Sequence, residues 1–567
     1  MCAFFLPSFG VSGGAHAPVS PDVRHSESRL RPMIDRLQMR LDEPVGARRV
    51  FFATLVVLTL LRAALAGILP FTSDEAYFTV WGQYPDWGYY DHPPMIGWWL
   101  APLSALSTEP FVLRLPAVFA PPVVALIAIA MLRRYGEALA WTAGTLMLLV
   151  PLNAVNVAIT TDIPLMIFSA LCVLFYLRAQ RSGRTLDFLL AGLMLAAALM
   201  SKYFAGLLAI AFFAHSVWRP ERRRIVGLLW VILGSLPAAV IQIAWNAANC
   251  WPNVMFNIVN RHDSDGWSLE TPLLFALSFV YVLTPAVGWR LLRGRLSGDP
   301  ESPPSASVGV DRPGVAAQSP DTMAARADAR VLRWLALVPF GIFALLSPVK
   351  TIGLHWLASF VLPAVLFFVL VSDSRARARA VLVAAGIALA HWILIGVLVA
   401  LPTETFRNWK GYPGLVMTVH TDELVEALEP WRGRFAFASS GYSPAVTLGH
   451  SLGEYVFVFG RGSSHARHDD IMTDLRKLDG RDVLVVRKDE RFVPADYEPY
   501  FDRVEFKRIE LRGVTFHLIE GHGFRYDAYR DTVLDDIRQR WYAVPRWLPA
   551  GPCYFCDRYF PDRACHR

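Results

Sequence analysis

Residues 50–70 read VFFATLVVLTLLRAALAGILP, and the chain runs on at 71–78 as FTSDEAYF. About 20 mostly apolar residues suffice to cross a bilayer as a helix, and the first stretch meets that length. Ten further apolar blocks follow. Six are long, at 111–132, 225–245, 271–289, 331–347, 355–372 and 380–401. Four are shorter, at 138–152, 163–177, 186–200 and 204–217. The last two are halves of one apolar stretch interrupted by Ser201-Lys202-Tyr203. The expectation is a multi-pass α-helical membrane protein of about eleven spans.

Composition agrees with this. The 567 residues are 54% hydrophobic and only 18% charged, whereas soluble domains carry about 25% charged residues. Six cysteines in a chain of this length are too few for a disulfide scaffold. The net charge of +7 first suggests a polyanionic partner, but its distribution answers differently. With the N-terminus placed inside, the inner segments hold 26 Lys and Arg and the outer ones hold 3. Such asymmetry marks the cytoplasmic face. The basicity therefore records topology, and nucleic acid is not an expected partner.

Three regions follow. Residues 1–48 read as a disordered cytoplasmic tail, and 49–401 as the membrane domain. Within the latter, 294–328 is rich in Ser, Pro, Ala and Gly and reads as a flexible cytoplasmic linker. Residues 402–567 are charged, with β-rich runs at 435–439, 455–459, 483–487, 504–511 and 514–520 and helical stretches near 421–428 and 468–478. They predict an α/β domain, placed outside by the span count.

The outer loop 71–110 contains no Lys or Arg, yet sets Asp74, Glu75, Asp91 and His92 beside the membrane. A carboxylate in a partly dry site can serve as general base. The plain alternative is that the acidic pair caps a helix whose N-cap is Ser73.

Phe71-Thr-Ser-Asp-Glu-Ala-Tyr77 followed by Tyr89-Tyr-Asp-His-Pro-Pro94 resembles the first outer loop of the GT-C glycosyltransferases. The resemblance is to the bacterial branch related to protein O-mannosyltransferases and the aminoarabinose transferases of lipid A. Arg114-Leu-Pro116, Thr161-Asp162-Ile-Pro164, Ser201-Lys202-Tyr203 and Ser347-Pro-Val-Lys350 with His355-Trp356 follow in matching order.

The resemblance implies a membrane enzyme of GT-C type. It would transfer a sugar, with inversion, from a polyprenyl-phosphate donor to an acceptor outside the bacterial cytoplasmic (inner) membrane. Lipid A or another glycolipid, polysaccharide and protein are the acceptors it allows. Carried over, Asp74 is the catalytic base and Glu75 orients its neighbours. The three outer cations Lys202, Arg261 and Lys350 are candidates for the lipid phosphate, with Lys202 foremost. Snorkelling to the interface is the ordinary role of each. His92, Asp91, Asp162 and His355 complete the candidate donor site, although Asp162 also sits where a helix N-cap would. Tyr77 departs from the aminoarabinose branch, which often has an arginine there, and this puts that sugar in doubt. The alternatives are a secondary transporter or a non-catalytic envelope assembly protein.

Other signals are weaker. Asp263-Ser-Asp265 has the form of a metal–diphosphate motif, but the implied donor carries a monophosphate, so neither a metal nor another cofactor is assigned. Gly449-His-Ser451-Leu-Gly453 spells a hydrolase elbow, which needs a strand before the serine and a helix after it. A strand pattern follows instead. Cys553, Cys556, Cys565 and His566 have partial zinc spacing, but an oxidising compartment favours disulfides or unpaired thiols. Cys172 and Cys250 read as plain residues in or beside spans. Trp245, Asn246, Trp251, Asn253, Asn257 and Trp267 suit a sugar site and an interfacial belt equally.

Overall fold

A computed structural model describes residues 22–218, 220–260, 266–294, 320–488, 493–563 and 565. Arg261, the Asp263/Asp265 pair, His566, the first part of the tail and most of the 294–328 linker lie outside these residues.

The protein is a multi-pass helical membrane protein. Among the described residues, eight helices are long and apolar enough to cross a bilayer: Pro44–Ile68, Pro110–Tyr135, Asp162–Ser182, Arg222–Ala248, Glu270–Arg293, Thr322–Leu346, Leu354–Val371 and Ser374–Ala400. The blocks expected at 138–152, 186–200 and 204–217 are the shorter helices Glu137–Leu149, Thr185–Ser201 and Gly206–Trp218.

Small residues let some helices approach closely, as is usual in membranes. Gly192 and Gly234 face each other across Thr185–Ser201 and Arg222–Ala248, and a Cβ on either would overlap the opposing backbone.

The tail contains more structure than its polarity suggested. Asp22–Asp42 is a helix. Leu41 is buried, and Ile34 and Leu37 pack against the membrane core. This apolar stripe at helical spacing is ordinary amphipathicity. Ser374 Oγ donates to Asp42 at 2.6 Å, and Arg375 lies 3.4 Å from Asp35.

The loop 71–110 is itself helical. Ser73–Gln83 and Met95–Leu106 form a packed pair. A Cβ on Gly82 would meet the Leu100 backbone at 2.9 Å, so only glycine permits this approach. Trp81 is fully buried and stacks on Tyr89 at 4.1 Å, and the Tyr89 hydroxyl donates to Trp81 O at 2.9 Å.

In the C-terminal region five strands form one sheet: β1 (Ala436–Ser439), β2 (Phe457–Val458), β3 (Val483–Arg487), β4 (Phe501–Leu511) and β5 (Val514–Phe524). Their order is β2-β1-β3-β5-β4. β1 runs parallel to both β2 and β3, while β5 is antiparallel to both β3 and β4. β3 is buried along nearly its whole length, as expected of a strand covered on both faces.

Ser451 lies inside the helix Tyr442–Leu452, and Gly453 ends that helix at φ 71°. This is a left-handed C-cap, not a strand–serine–helix elbow.

Cys250 is not a plain residue. It forms a disulfide with Cys553, 303 positions away, and Cys556 pairs with Cys565. Cys553 Sγ also lies 3.7 Å from Cys565 Sγ. The Sγ atoms of Cys250, Cys553 and Cys565 all lie within 4.8 Å of one another. Tyr90, Met255 and Phe256 join the C-terminal core beside the first bridge. Cys172 is buried and free.

Non-reducing peptide mapping is expected to recover a Cys250–Cys553 cross-link. Cys553→Ser should lower the thermal unfolding midpoint by an amount equivalent to about 2–4 kcal/mol. An unchanged midpoint would show that this bridge carries no stability.

Candidate functional site

The site is built outward from Glu75. The helix Ser73–Gln83 starts with a capping box on Thr72, one residue before the expected cap Ser73. Thr72 Oγ1 accepts from the Glu75 amide at 3.3 Å, and the Glu75 carboxylate accepts from the Thr72 amide at 3.1 Å. That carboxylate is fully buried and also receives Arg114 Nε and Nη2, both at 2.8 Å, and the Ile159 amide at 3.0 Å.

Arg114 is equally buried, at 1% exposure. Its remaining donors go to the carbonyls of Ala66, Leu69 and Pro70 at 2.8–2.9 Å. All five N–H groups of the guanidinium are thereby used. Glu75 is thus a fixed strut with no free face.

Asp74 is different. Successive residues on a helix point about 100° apart, so Asp74 is exposed while Glu75 is buried. Tyr442 Oη, from the C-terminal region, lies 3.5 Å from Asp74 Oδ1.

One turn along the same helix, the Tyr77 hydroxyl donates to Asp91 Oδ1 at 3.2 Å. Asp91 Oδ2 is 3.2 Å from His92 Nδ1. Burial alone would push the Asp91 carboxyl up, but His92, His468 and the Tyr77 hydroxyl outweigh it and hold the group below its ordinary value.

Asp162 opens the helix Asp162–Ser182, and Lys202 follows Thr185–Ser201 in extended conformation. Lys202 Nζ reaches both Asp162 oxygens at 2.9 Å, and both residues are buried. Asp162 therefore serves as the partner of this cation as well as the start of a helix. His355 lies close enough to Asp162, Lys202 and His92 to interact electrostatically with each.

The expected residues fall into contacting sets: Glu75 with Arg114, Asp91 with Tyr77 and His92, and Lys202 with Asp162, while Asp74 meets Tyr442. Lys350 is half-buried in the turn after Pro320–Leu346, its amide bonded to Leu346 O at 3.0 Å.

Two neighbours, Tyr442 and His468, carried no local signal in the sequence. His468 is buried against Tyr89, with ring centroids 5.0 Å apart. Burial lowers its pKa to about 4, against the pull of Asp91 and Asp86.

The amides of 246–257 are spent on structure. Asn253 Nδ2 donates to Tyr90 O at 2.8 Å, the Asn253 amide to Asn246 Oδ1 at 3.0 Å, and Trp245 Nε1 to Asp86 at 3.0 Å.

Comparison with known proteins agrees with this architecture. Residues 91–246 match the family model described as dolichyl-phosphate-mannose-protein mannosyltransferase. The chain is 29% identical over 244 residues to the lipid A galacturonosyltransferase RgtD of Rhizobium johnstonii, a match covering 40% of this chain and 50% of that protein. The chain thus spans about half the length of the curated relative it matches.

In structure it is similar to ArnT from Cupriavidus metallidurans bound to undecaprenyl phosphate. The TM-score is 0.53 at 12% identity, covering 82% of this chain and 97% of ArnT. Apo ArnT gives 0.51 at 14% identity, covering 84% and 98%. The resemblance to the GT-C superfamily is supported by sequence over 91–246 and by fold over most of the chain.

Removing one member of a buried ion pair strands the other charge, at about 3–5 kcal/mol. Arg114→Ala should therefore lower the melting temperature sharply and reduce yield, whereas Asp74→Asn should leave both unchanged. Thermal unfolding of the detergent-purified variants checks this.

Proposed function

We propose that the protein is an inner-membrane glycosyltransferase. It moves a sugar from a polyprenyl-phosphate donor to a glycolipid of the lipid A class at the outer face, where the C-terminal α/β domain also lies. The observation that carries this reading is the exposed carboxylate of Asp74, held next to an immobilised Glu75–Arg114 pair whose carboxylate also takes the Ile159 amide, three residues before the Asp162 that pairs with Lys202. The name of the galacturonosyltransferase relative and the undecaprenyl phosphate bound to ArnT support the acceptor and donor classes.

In this reading Asp74 accepts the proton of the acceptor hydroxyl. The freed oxygen pair forms the new bond to the anomeric carbon as the bond to phosphate oxygen breaks. The lipid phosphate leaves with that electron pair, and in-line attack inverts the anomeric centre. Lys202, with His92 and His355 beside it, balances charge on the departing phosphate. Glu75 acts by fixing the helix that carries Asp74. Lys350 and Arg261 supply further outer-face cations for the lipid phosphate.

Lipid A from cells with and without the protein should differ by one sugar mass. Purified protein with a polyprenyl-phosphate sugar should release polyprenyl phosphate. Asp74→Asn should lower the rate by about 10²–10⁴-fold, the usual worth of a general base. Lys202→Ala should raise the donor KM. Full transfer by Asp74→Asn would remove the base assignment, and failure to consume any such donor would remove the enzyme reading.

A further inference from the structure

We propose that Tyr442, carried by the C-terminal domain, is a positioning residue for Asp74, so that this domain completes the site. The inference rests on the glycosyl-transfer reading of Asp74 given above.

Tyr442 lies 368 residues from Asp74 in sequence, yet its hydroxyl is 3.5 Å from Asp74 Oδ1. That is a long contact, but hydrogen bonds at catalytic groups often tighten only when substrate is present. The Tyr442 ring is 5.6 Å from the ring of Tyr77, whose hydroxyl holds Asp91. Tyr442 thus meets Asp74 with its hydroxyl and the hydrogen-bond donor of Asp91 with its ring. Burial, Asp74 and Asp91 all raise its pKa, so the phenol keeps its proton and acts as a donor.

Its placement is rigid. Tyr442 is the first residue of the helix Tyr442–Leu452, which follows β1 after two residues. Ser439 Oγ clamps the end of β1 to Val486 O at 2.7 Å. Ala445, Leu448 and Leu452 bury one helix face in the core of the domain. The other face meets the first outer loop at both ends. Tyr442 reaches Asp74, and His450 stacks on Phe71 with centroids 4.5 Å apart. Phe71 lies three residues before Asp74, so the helix brackets the start of Ser73–Gln83. A side chain locked in this way can fix the rotamer of a neighbouring base, as a supporting shell must.

The bland alternative is that Tyr442 only packs its ring against Tyr77. Tyr442→Phe keeps the ring and removes the hydroxyl, so it separates the two. In a donor-consumption assay we expect kcat to fall roughly tenfold or more, the usual scale for a hydrogen bond to a charged group. Donor KM and the melting temperature should stay unchanged. In Asp74→Asn, adding Tyr442→Phe should cause no further loss, because the hydroxyl acts through Asp74.

Wild-type kcat in Tyr442→Phe with loss only in Tyr442→Ala would overturn the proposal in favour of packing. A change confined to KM, or a full multiplicative loss in the double variant, would also overturn it. Wild-type protein that consumes no polyprenyl-phosphate sugar would instead remove the glycosyl-transfer reading, and this role with it.

Discussion

The loop 71–110 and its surroundings are organised by one buried ion pair. Arg114 and Glu75 together satisfy the carbonyl end of the first membrane helix, the amide start of Ser73–Gln83 and the Ile159 amide. A helix end buried without partners would be costly. Here three carbonyls left over at 66–70 are met by one guanidinium. The two charges are buried together, so neither is stranded, and every donor and acceptor is directed. Such a pair contributes modestly to net stability, but it leaves few alternative geometries. The exposed Asp74 inherits that definition through a single peptide unit.

A second constraint acts from the opposite direction. The C-terminal region is tied to the membrane helices by the Cys250–Cys553 bridge and by Tyr90, Met255 and Phe256 in a shared core. It touches the first loop again through His450 and Tyr442. Fixed at separate places, it has little freedom to rock against the loop. Trp81, Tyr89 and His468 fill the contact with stacked and edge-on rings. Aromatic packing of this kind restricts sliding in ways that scattered aliphatic contacts do not.

Much of this was legible from local pattern. Hydropathy located seven of the long helices because a bilayer imposes a length and a polarity on each one, and read the eighth, Asp162–Ser182, as a shorter block at 163–177. The cation-depleted first loop drew attention to Asp74, Asp91 and His92. The sequence could not show that neighbouring carboxylates have opposite environments. Glu75 is buried by Arg114, 39 residues away, and no local periodicity encodes that pairing. The same limit hid the role of Cys250, whose partner is 303 residues distant. The amides at 246–257 read equally well as sugar ligands, because composition does not reveal whether donors are already spent. In the tail, polarity outweighed the Ile34, Leu37 and Leu41 stripe, which was a readable helical signal. The eleven-span count rests on three helices shorter than an ordinary span.

The Lys202–Asp162 pair sharpens what a lipid phosphate would meet. Depletion of cations outside made Lys202 conspicuous, but both of its nearest oxygens belong to Asp162. A paired ammonium projects a weak field at a distance, so it does not act as a general anion trap. On the glycosyl-transfer reading, a phosphate must come close enough to share or displace the carboxylate. Displacement leaves Asp162 with an unpaired buried charge, a costly state unless another donor replaces Lys202. His355 lies within electrostatic reach of this pair and is the group placed to supply such a donor. Binding then depends on several groups rearranging together, which favours a ligand anchored by a lipid chain over a free anion.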